Sequence, residues 1–256
     1  MKKLSLIVVL ALAIAAGFAQ DYPVFNFTAT YTFGADGNVT SFDYNGTEYS
    51  GITMGPMVKV GVTSTGSDGN FRASGWPIDT WSQSGYYMGF TISAVQGYKF
   101  TVNTIEFGIG RDATGTRFTE WRGSGTNNYS ISDMLSNYTT VAPGLTRHTG
   151  GTYGGLLENP TNAAGSWTGN VLTIPSVASY QNVTTSCGFR IYLTGSGGGS
   201  AGLDGPITVS GTYTFTGDYP AIEVYPKSLT GFTYEYGSGP SPAQTFTVTA
   251  AGLPKN

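Results

Sequence analysis

The stretch YKFTVNTIEFGIG, residues 98–110, is the longest strand-like run of the chain and decides its fold class. Apolar residues alternate with polar ones up to Val102 and again from Ile105, but the two sets have opposite phase. Side chains of a strand alternate between two faces, so a β-bulge near Asn103–Thr104 would turn both sets toward one core. The stretch therefore predicts a long, bent strand in a sheet with one buried face.

Shorter runs of the same kind recur between Gly, Asn and Pro residues, a spacing typical of a sandwich or jelly roll. These runs are FNFTATYTF (25–33), MVKVGVT (57–63), YYMGFTI (86–92), RFTEW (117–121), VLTIP (171–175), CGFRIYLTG (187–195) and ITVSGTYTF (207–215). The sequence thus predicts an all-β, jelly-roll-like antiparallel β-sandwich. Asn45-Gly46 predicts a hairpin turn. The glycine-rich segment 195–202 lacks the Lys-Ser/Thr of a phosphate loop and predicts a flexible hairpin connection.

The N-terminus has the pattern of a secretory signal peptide. Lys2 and Lys3 precede an apolar stretch that ends at Ala16, and the small-residue pattern Gly17-Phe18-Ala19 predicts cleavage before Gln20. We therefore assign residues 1–19 to the signal peptide and expect a secreted or cell-surface protein with no membrane span after cleavage.

Charge argues against a nucleic-acid-binding protein, and cysteine content excludes a fold held by an intrachain disulfide. Without Lys2 and Lys3 the chain keeps 10 basic against 15 acidic residues, a net charge of about −5 that argues against nucleic-acid binding. Cys187 is the only cysteine, so no intrachain disulfide forms and stability comes from burying apolar area. The mature chain is long enough for that.

No pattern of catalytic or metal-binding residues is readable. His148, the only histidine, lies in a loop with no sequence pattern for a triad and is interpreted as an exposed loop residue. Neither a His/Cys cluster nor an EF-hand spacing occurs, so no cofactor is predicted, and a loop Ca²⁺ site built from Asp side chains and backbone carbonyls stays an open alternative. Glu106 and Glu120 could be neighbours on adjacent strands, which is the one pair that suggests a glycoside hydrolase.

Residues 74–124, taken together with 188–212, resemble a β-sandwich domain common in secreted multidomain proteins of Bacteroidetes. The shared motifs are an aromatic strand, Gly-Tyr before an apolar strand, Arg-x-x-x-Gly, a Trp/Arg strand, FRIY and a closing ITVSG strand. The resemblance covers about 24–216. It implies a jelly-roll accessory domain, similar in architecture to carbohydrate-binding modules, in a cell-surface protein of the type IX secretion route.

A change of composition near Tyr219 predicts a domain boundary. We assign 20–217 to the sandwich. Residues 218–256 resemble the first strands of an immunoglobulin-like repeat, which needs about seven strands to close its core. The resemblance therefore implies a truncated repeat, with further domains of the same protein C-terminal to Asn256.

Arginines and tryptophans are the candidate functional side chains. Arg111 and Arg190 are interpreted as structural, each tying loops through bonds to carboxylate or backbone oxygens. Arg122 beside Trp121 has two readings, a structural one and a grip on a polar ligand. Trp76 and Trp81 lie in a turn-rich segment, where an indole is either a sugar platform or part of the core.

Three hypotheses follow. The first is a non-catalytic module that binds a polysaccharide or cell-surface glycan through Trp76, Trp81, Trp121 and Arg122. The second is a structural or adhesive spacer, for which those four side chains are buried. The third is a concanavalin-like glycoside hydrolase that uses Glu106 and Glu120.

The signal-peptide assignment predicts that the exported protein begins at Gln20 or within a residue or two. Small residues at the third and first positions before the cut fit the peptidase pocket. Mass spectrometry of secreted material measures the N-terminus directly, and an intact Met1 on exported, folded protein would contradict the assignment.

Overall fold

The computed structural model describes residues 22–35, 37–67, 69–77, 85–125, 128–149, 155–161, 163–194 and 199–216, together with short strands between 221 and 251. Trp81 and the predicted signal peptide lie outside the described residues. No helix among the described residues is long and apolar enough to cross a membrane.

The described part of residues 22–216 contains seventeen strands and one 3-10 turn. In chain order they are β1 (Val24–Tyr31), β2 (Ser41–Phe42), β3 (Ile52–Met54), β4 (Met57–Val60), β5 (Thr63–Ser64), β6 (Asn70–Ser74), β7 (Tyr87–Ala94), β8 (Tyr98–Arg111), β9 (Phe118–Gly123), the 3-10 turn (Ile131–Asp133), β10 (Met134–Leu135), β11 (Tyr138–Thr140), β12 (Thr146–Arg147), β13 (Leu157–Glu158), β14 (Gly165–Thr173), β15 (Ser186–Thr194), β16 (Ala201–Asp204) and β17 (Ile207–Phe215).

These strands form two antiparallel sheets with a shared apolar core. Sheet A has the order β1-β17-β8-β16-β6-β5, with β14 also paired to β8 and β11 to β14. Sheet B has the order β12-β13-β9-β15-β7-β4-β2, with β10 paired to β9 and β3 to β7. The predicted all-β antiparallel sandwich is confirmed, whereas the jelly-roll detail stays a prediction. Because β15 and β16 belong to different sheets, segment 195–202 connects the sheets, and the predicted hairpin there is wrong.

The long strand β8 contains the predicted bulge. Its partner β17 pairs Gly211 with Val102 and Ser210 with Thr104, so the register passes over Asn103. Val102 before the bulge and Ile105 after it are both fully buried. The bulge therefore lets both halves of β8 supply the same core.

The free edge of β1 is covered by side chains of the loop that follows β2. The Tyr49 hydroxyl donates to the Thr28 carbonyl at 2.7 Å and accepts from the Thr28 amide at 3.0 Å. The Asn45 side chain makes the equivalent pair of bonds to Thr32. The predicted hairpin at Asn45-Gly46 is wrong, because the strands on either side of this loop do not pair with each other. The loop instead supplies side chains that hydrogen-bond the exposed backbone groups along the edge of β1.

The first and last strands of the sandwich are hydrogen-bonded neighbours. Val24 at the start of β1 pairs with Thr214 near the end of β17, and the register runs without a break to Tyr31 and Ile207. The chain therefore enters and leaves the sandwich at the same end, about 5 Å apart.

Four further strands follow the sandwich and pair only with one another among the described residues. They are β18 (Ala221–Tyr225), β19 (Tyr234–Glu235), β20 (Gly239–Pro240) and β21 (Thr247–Ala251). Strand β18 pairs with β21, and β19 pairs with β20. The boundary near Tyr219 and the immunoglobulin-like assignment stay predictions.

The pairing of β1 with β17 predicts a spontaneous disulfide in the variant Val24→Cys/Thr214→Cys. The backbone N–H and C=O of Thr28 bond to Tyr49 and therefore point away from β17. Val24 lies four residues earlier on β1, so its backbone groups also point away from β17, and Val24 and Thr214 form a non-hydrogen-bonded pair. In such a pair the two side chains lie close enough for a disulfide. Cys187 should not compete, because burial raises the pKa of its thiol to about 12. The loss of two hydrogens on oxidation is measured by mass spectrometry.

The matched control for this variant is Val24→Cys/Thr208→Cys. Thr208 pairs with Thr30, six residues along β1 from Val24, so this pair should stay reduced. Equal cross-linking of both variants would contradict the register.

Candidate functional site

Neither described tryptophan of the predicted sugar surface is exposed. Trp121 is 0% exposed on the inner face of β9, with its ring edge-on to Phe107 of the opposite sheet at a centroid distance of 5.1 Å. Trp76 is 4% exposed, and its indole N–H donates to the carbonyls of Ala73 and Ala201. The prediction that these two indoles form an exposed sugar platform is wrong, because both fill the core. Trp81 lies outside the described residues.

Arg122 is held by a carboxylate two residues before it on β9. Nε and Nη2 of Arg122 donate to the two oxygens of Glu120 at 2.6 and 2.9 Å, and each residue is 2% exposed. The guanidinium carbon also lies 4.4 Å from the ring centroid of Tyr192. Arg122 is therefore structural, and its predicted role as a ligand grip is wrong.

The two candidate hydrolase carboxylates lie on different sheets. Glu106 is exposed on β8 of sheet A, between the buried, inward-pointing Ile105 and Phe107. Glu120 lies on the outer face of sheet B. The prediction that they are neighbours is wrong, because β8 and β9 pair in separate sheets.

Arg111 has the predicted structural role. It is buried at the end of β8 and donates to the carbonyls of Asp112, Ala113 and Thr161, so it ties the loop after β8 to the segment after β13. Burial lowers the pKa of this guanidinium.

His148 takes part in a hydrogen-bonded cluster with Glu158 and Arg117 instead of projecting freely from its loop. Its Nε2 lies 2.7 Å from Oε2 of Glu158, whose other oxygen accepts from Arg117. The prediction of an exposed loop histidine is wrong, since the side chain is half-buried and bonded across the β12–β13 pair.

Arg190 is structural in a way that the sequence did not predict. Its guanidinium carbon lies 3.7 Å from the ring centroid of Tyr129 and 4.0 Å from that of Tyr87, so two tyrosines cover it. Unlike the expected bond to a carboxylate or a backbone oxygen, this contact is a cation–π stack.

Glycines on the outer face of sheet B make room for this stack. Arg190 pairs with Gly89, where an added Cβ would lie 3.0 Å from the Arg190 Cγ. A Cβ at Gly188 would overlap the Tyr129 hydroxyl. Larger residues at these two positions would lift the arginine and the tyrosine from the sheet.

The loop that supplies Tyr129 has a strained backbone. Asn128 and Tyr129 have φ values of 53° and 67°, in the left-handed region that costs a non-glycine residue about 1–2 kcal/mol. Strain of this kind persists where surrounding contacts impose it, and here the ring of Tyr129 lies on Arg190.

A depression of about 170 Å³ lies beside the stack. Its lining includes Pro56, Val58, Tyr87, Thr91, Tyr129 and Arg190. Pro56 and Thr91 are exposed, and the other four are half-buried. This is the candidate functional site, and it combines apolar surface with a cation.

Tyr192 lies two residues after Arg190 on the same face. Its hydroxyl is buried beside the Arg190 side chain. Burial raises the pKa of this hydroxyl, whereas the hydrogen bond and charge of Arg190 and the charge of Arg122 oppose the rise.

Among the described residues, no three His, Cys, Asp or Glu side chains converge on a point where a metal ion could bind. Comparisons of the chain with known protein families, curated proteins and solved structures find no match.

Tyr87 and Tyr129 are the site residues that sequence reasoning missed. The alternation in CGFRIYLTG was sufficient to place Arg190 and Tyr192 on one face opposite the apolar residues. Tyr129 comes from a loop about 60 residues earlier, and no sequence pattern connects it to this face.

We expect Arg122→Gln to lower the free energy of unfolding by about 3–5 kcal/mol, because it leaves Glu120 buried without its partner. The double variant Glu120→Gln/Arg122→Met should recover part of the loss, since no buried charge remains. Urea unfolding followed by circular dichroism measures both.

Arg147→Gln is the matched control for this loss. Arg147 is exposed and donates to the Tyr138 carbonyl, so its removal should cost about 1 kcal/mol or less. An equal loss in Arg122→Gln and Arg147→Gln would contradict a special role for the buried pair.

Proposed function

We propose that the sandwich is a non-catalytic, carbohydrate-binding accessory module of a secreted or cell-surface protein. The aromatic and apolar lining of the depression beside Arg190 carries the proposal. Export and the likeness to Bacteroidetes accessory domains belong to the proposal as expectations from the sequence.

The depression on the outer face of sheet B combines exposed apolar surface with a cation, a feature that a spacer does not need. The buried Trp76, Trp121 and Arg122 alone would favour the spacer hypothesis. The depression favours a binding module, and we rank it above the spacer for that reason.

The outer face of sheet B supports carbohydrate as the ligand class. Tyr87 and Tyr129 offer aromatic rings, and Pro56 and Val58 offer apolar surface, beside a hydrogen-bond donor. Binding sites commonly combine an apolar lining with a few polar groups that fix orientation.

Hydrolysis by the Glu106–Glu120 pair lacks the required geometry. Two glycosidase carboxylates face each other across one sugar, about 5–9.5 Å apart. These two belong to separate sheets, and Glu120 is occupied by Arg122. We therefore propose binding without turnover.

Titration of the mature protein against a polysaccharide panel by calorimetry tests the proposal. We expect saturable binding to at least one polysaccharide and no new reducing ends. Tyr87→Ala should weaken that binding roughly three- to tenfold through loss of ring contact.

Val177→Ala is the control, because Val177 is an exposed apolar residue outside the depression. It should bind like the wild type. No binding to any polysaccharide at millimolar sugar would overturn the proposed function.

A further inference from the structure

We infer that the depression beside Arg190 binds the carboxylate of a uronic acid residue within an acidic polysaccharide. The inference rests on the proposed function and names its ligand class.

The charge of Arg190 is not neutralised within the described residues. The guanidiniums of the other five arginines donate to carboxylates or carbonyls. Arg190 forms no ion pair with a described carboxylate, and its described partners are the rings of Tyr87 and Tyr129 and the hydroxyl of Tyr192. A half-buried cation with unused N–H groups is most stable when an anion accepts from them.

The contacts of Arg190 with the two rings leave N–H donors available. The guanidinium carbon lies 4.0 and 3.7 Å from the ring centroids of Tyr87 and Tyr129, and the five N–H groups of an arginine exceed what these rings and one hydroxyl can accept. A carboxylate is planar and accepts two parallel N–H bonds from a guanidinium. The two rings also hold the guanidinium in place, so little side-chain entropy is lost on binding.

The size and lining of the depression suit one sugar residue. Its 170 Å³ is well below the roughly 300–1,000 Å³ of sites that enclose a whole drug-sized ligand. Pro56, Val58 and the tyrosine rings provide apolar contact for the C–H groups of a pyranose. Neighbouring residues of a polysaccharide would then lie along the open surface of the sheet.

General electrostatics do not attract a polyanion to this chain, because the mature chain carries a net charge of about −5. Binding of an acidic polysaccharide therefore depends on a local cation, and Arg190 supplies one in the depression.

The probe is oligogalacturonate, and its affinity is compared with that of the same oligosaccharide after methyl esterification. Both titrations contain EDTA, so that no divalent cation bridges the ligand and the protein. The ester keeps the sugar ring and removes the negative charge. We expect the acid to bind at least roughly tenfold more tightly than the ester, the effect of losing one charge-assisted pair of hydrogen bonds.

Arg190→Gln should abolish this preference, and Arg190→Lys should retain only part of it, because a lysine cannot form the planar fork. Arg147→Gln, which removes an equal charge from another exposed surface, should bind like the wild type. Thermal unfolding of each variant reports whether it folds. If Arg190→Gln does not fold, the acid–ester comparison on the wild type decides alone.

Equal affinity of the wild type for acid and ester overturns the inference and leaves the proposed function intact. A preference for the acid that Arg147→Gln removes as fully as Arg190→Gln also overturns it, since general charge would then explain the binding. Binding of other polysaccharides on the panel, but of neither galacturonate form, likewise overturns the inference alone. Absence of binding to every polysaccharide overturns both.

Discussion

The change of phase at Asn103 is the constraint on which the sandwich depends. Strand β8 lies in the middle of sheet A and pairs with β14 on one side and with β17 and β16 on the other. Without the bulge, one half of β8 would turn Ile105 and Phe107 to solvent. At about 25 cal/mol per Å² of apolar area, exposing two such side chains would cost several kcal/mol, a large part of the stability of a domain.

The scarcity of charge explains how the arginines are used. Only 11% of residues are charged, and the described guanidiniums mostly connect elements that are distant in sequence. Arg72 of β6 makes a two-bond ion pair with Asp204 of β16, and Arg117 bonds Glu158 across the β9–β13 pair. Lys59 is buried with its Nζ on the Gly37 carbonyl and 3.9 Å from the Phe71 ring centroid, and burial lowers its pKa to about 8. Each of these bonds satisfies a charge that the fold removes from water.

Arg190 differs from these residues because, among the described residues, it contacts two tyrosine rings and the Tyr192 hydroxyl and pairs with no carboxylate. A cation–π stack restrains the side chain but does not neutralise its charge. The glycines at 89 and 188 and the left-handed backbone at Tyr129 are all consistent with the need to lay this stack flat on sheet B. Three departures from ordinary strand and loop chemistry therefore meet at one place, as is expected at a site under functional constraint.

The sequence by itself determined the all-β class and the bulge near Asn103, because strand periodicity is a local property that each side chain reports. It also predicted that Arg111 is structural. Only the tertiary structure decided that Trp76 and Trp121 fill the core, that Glu106 and Glu120 belong to separate sheets, and that Tyr129 covers Arg190. These outcomes depend on which strands pair and which loops fold back over a sheet, contacts between residues far apart in the chain that no local pattern encodes.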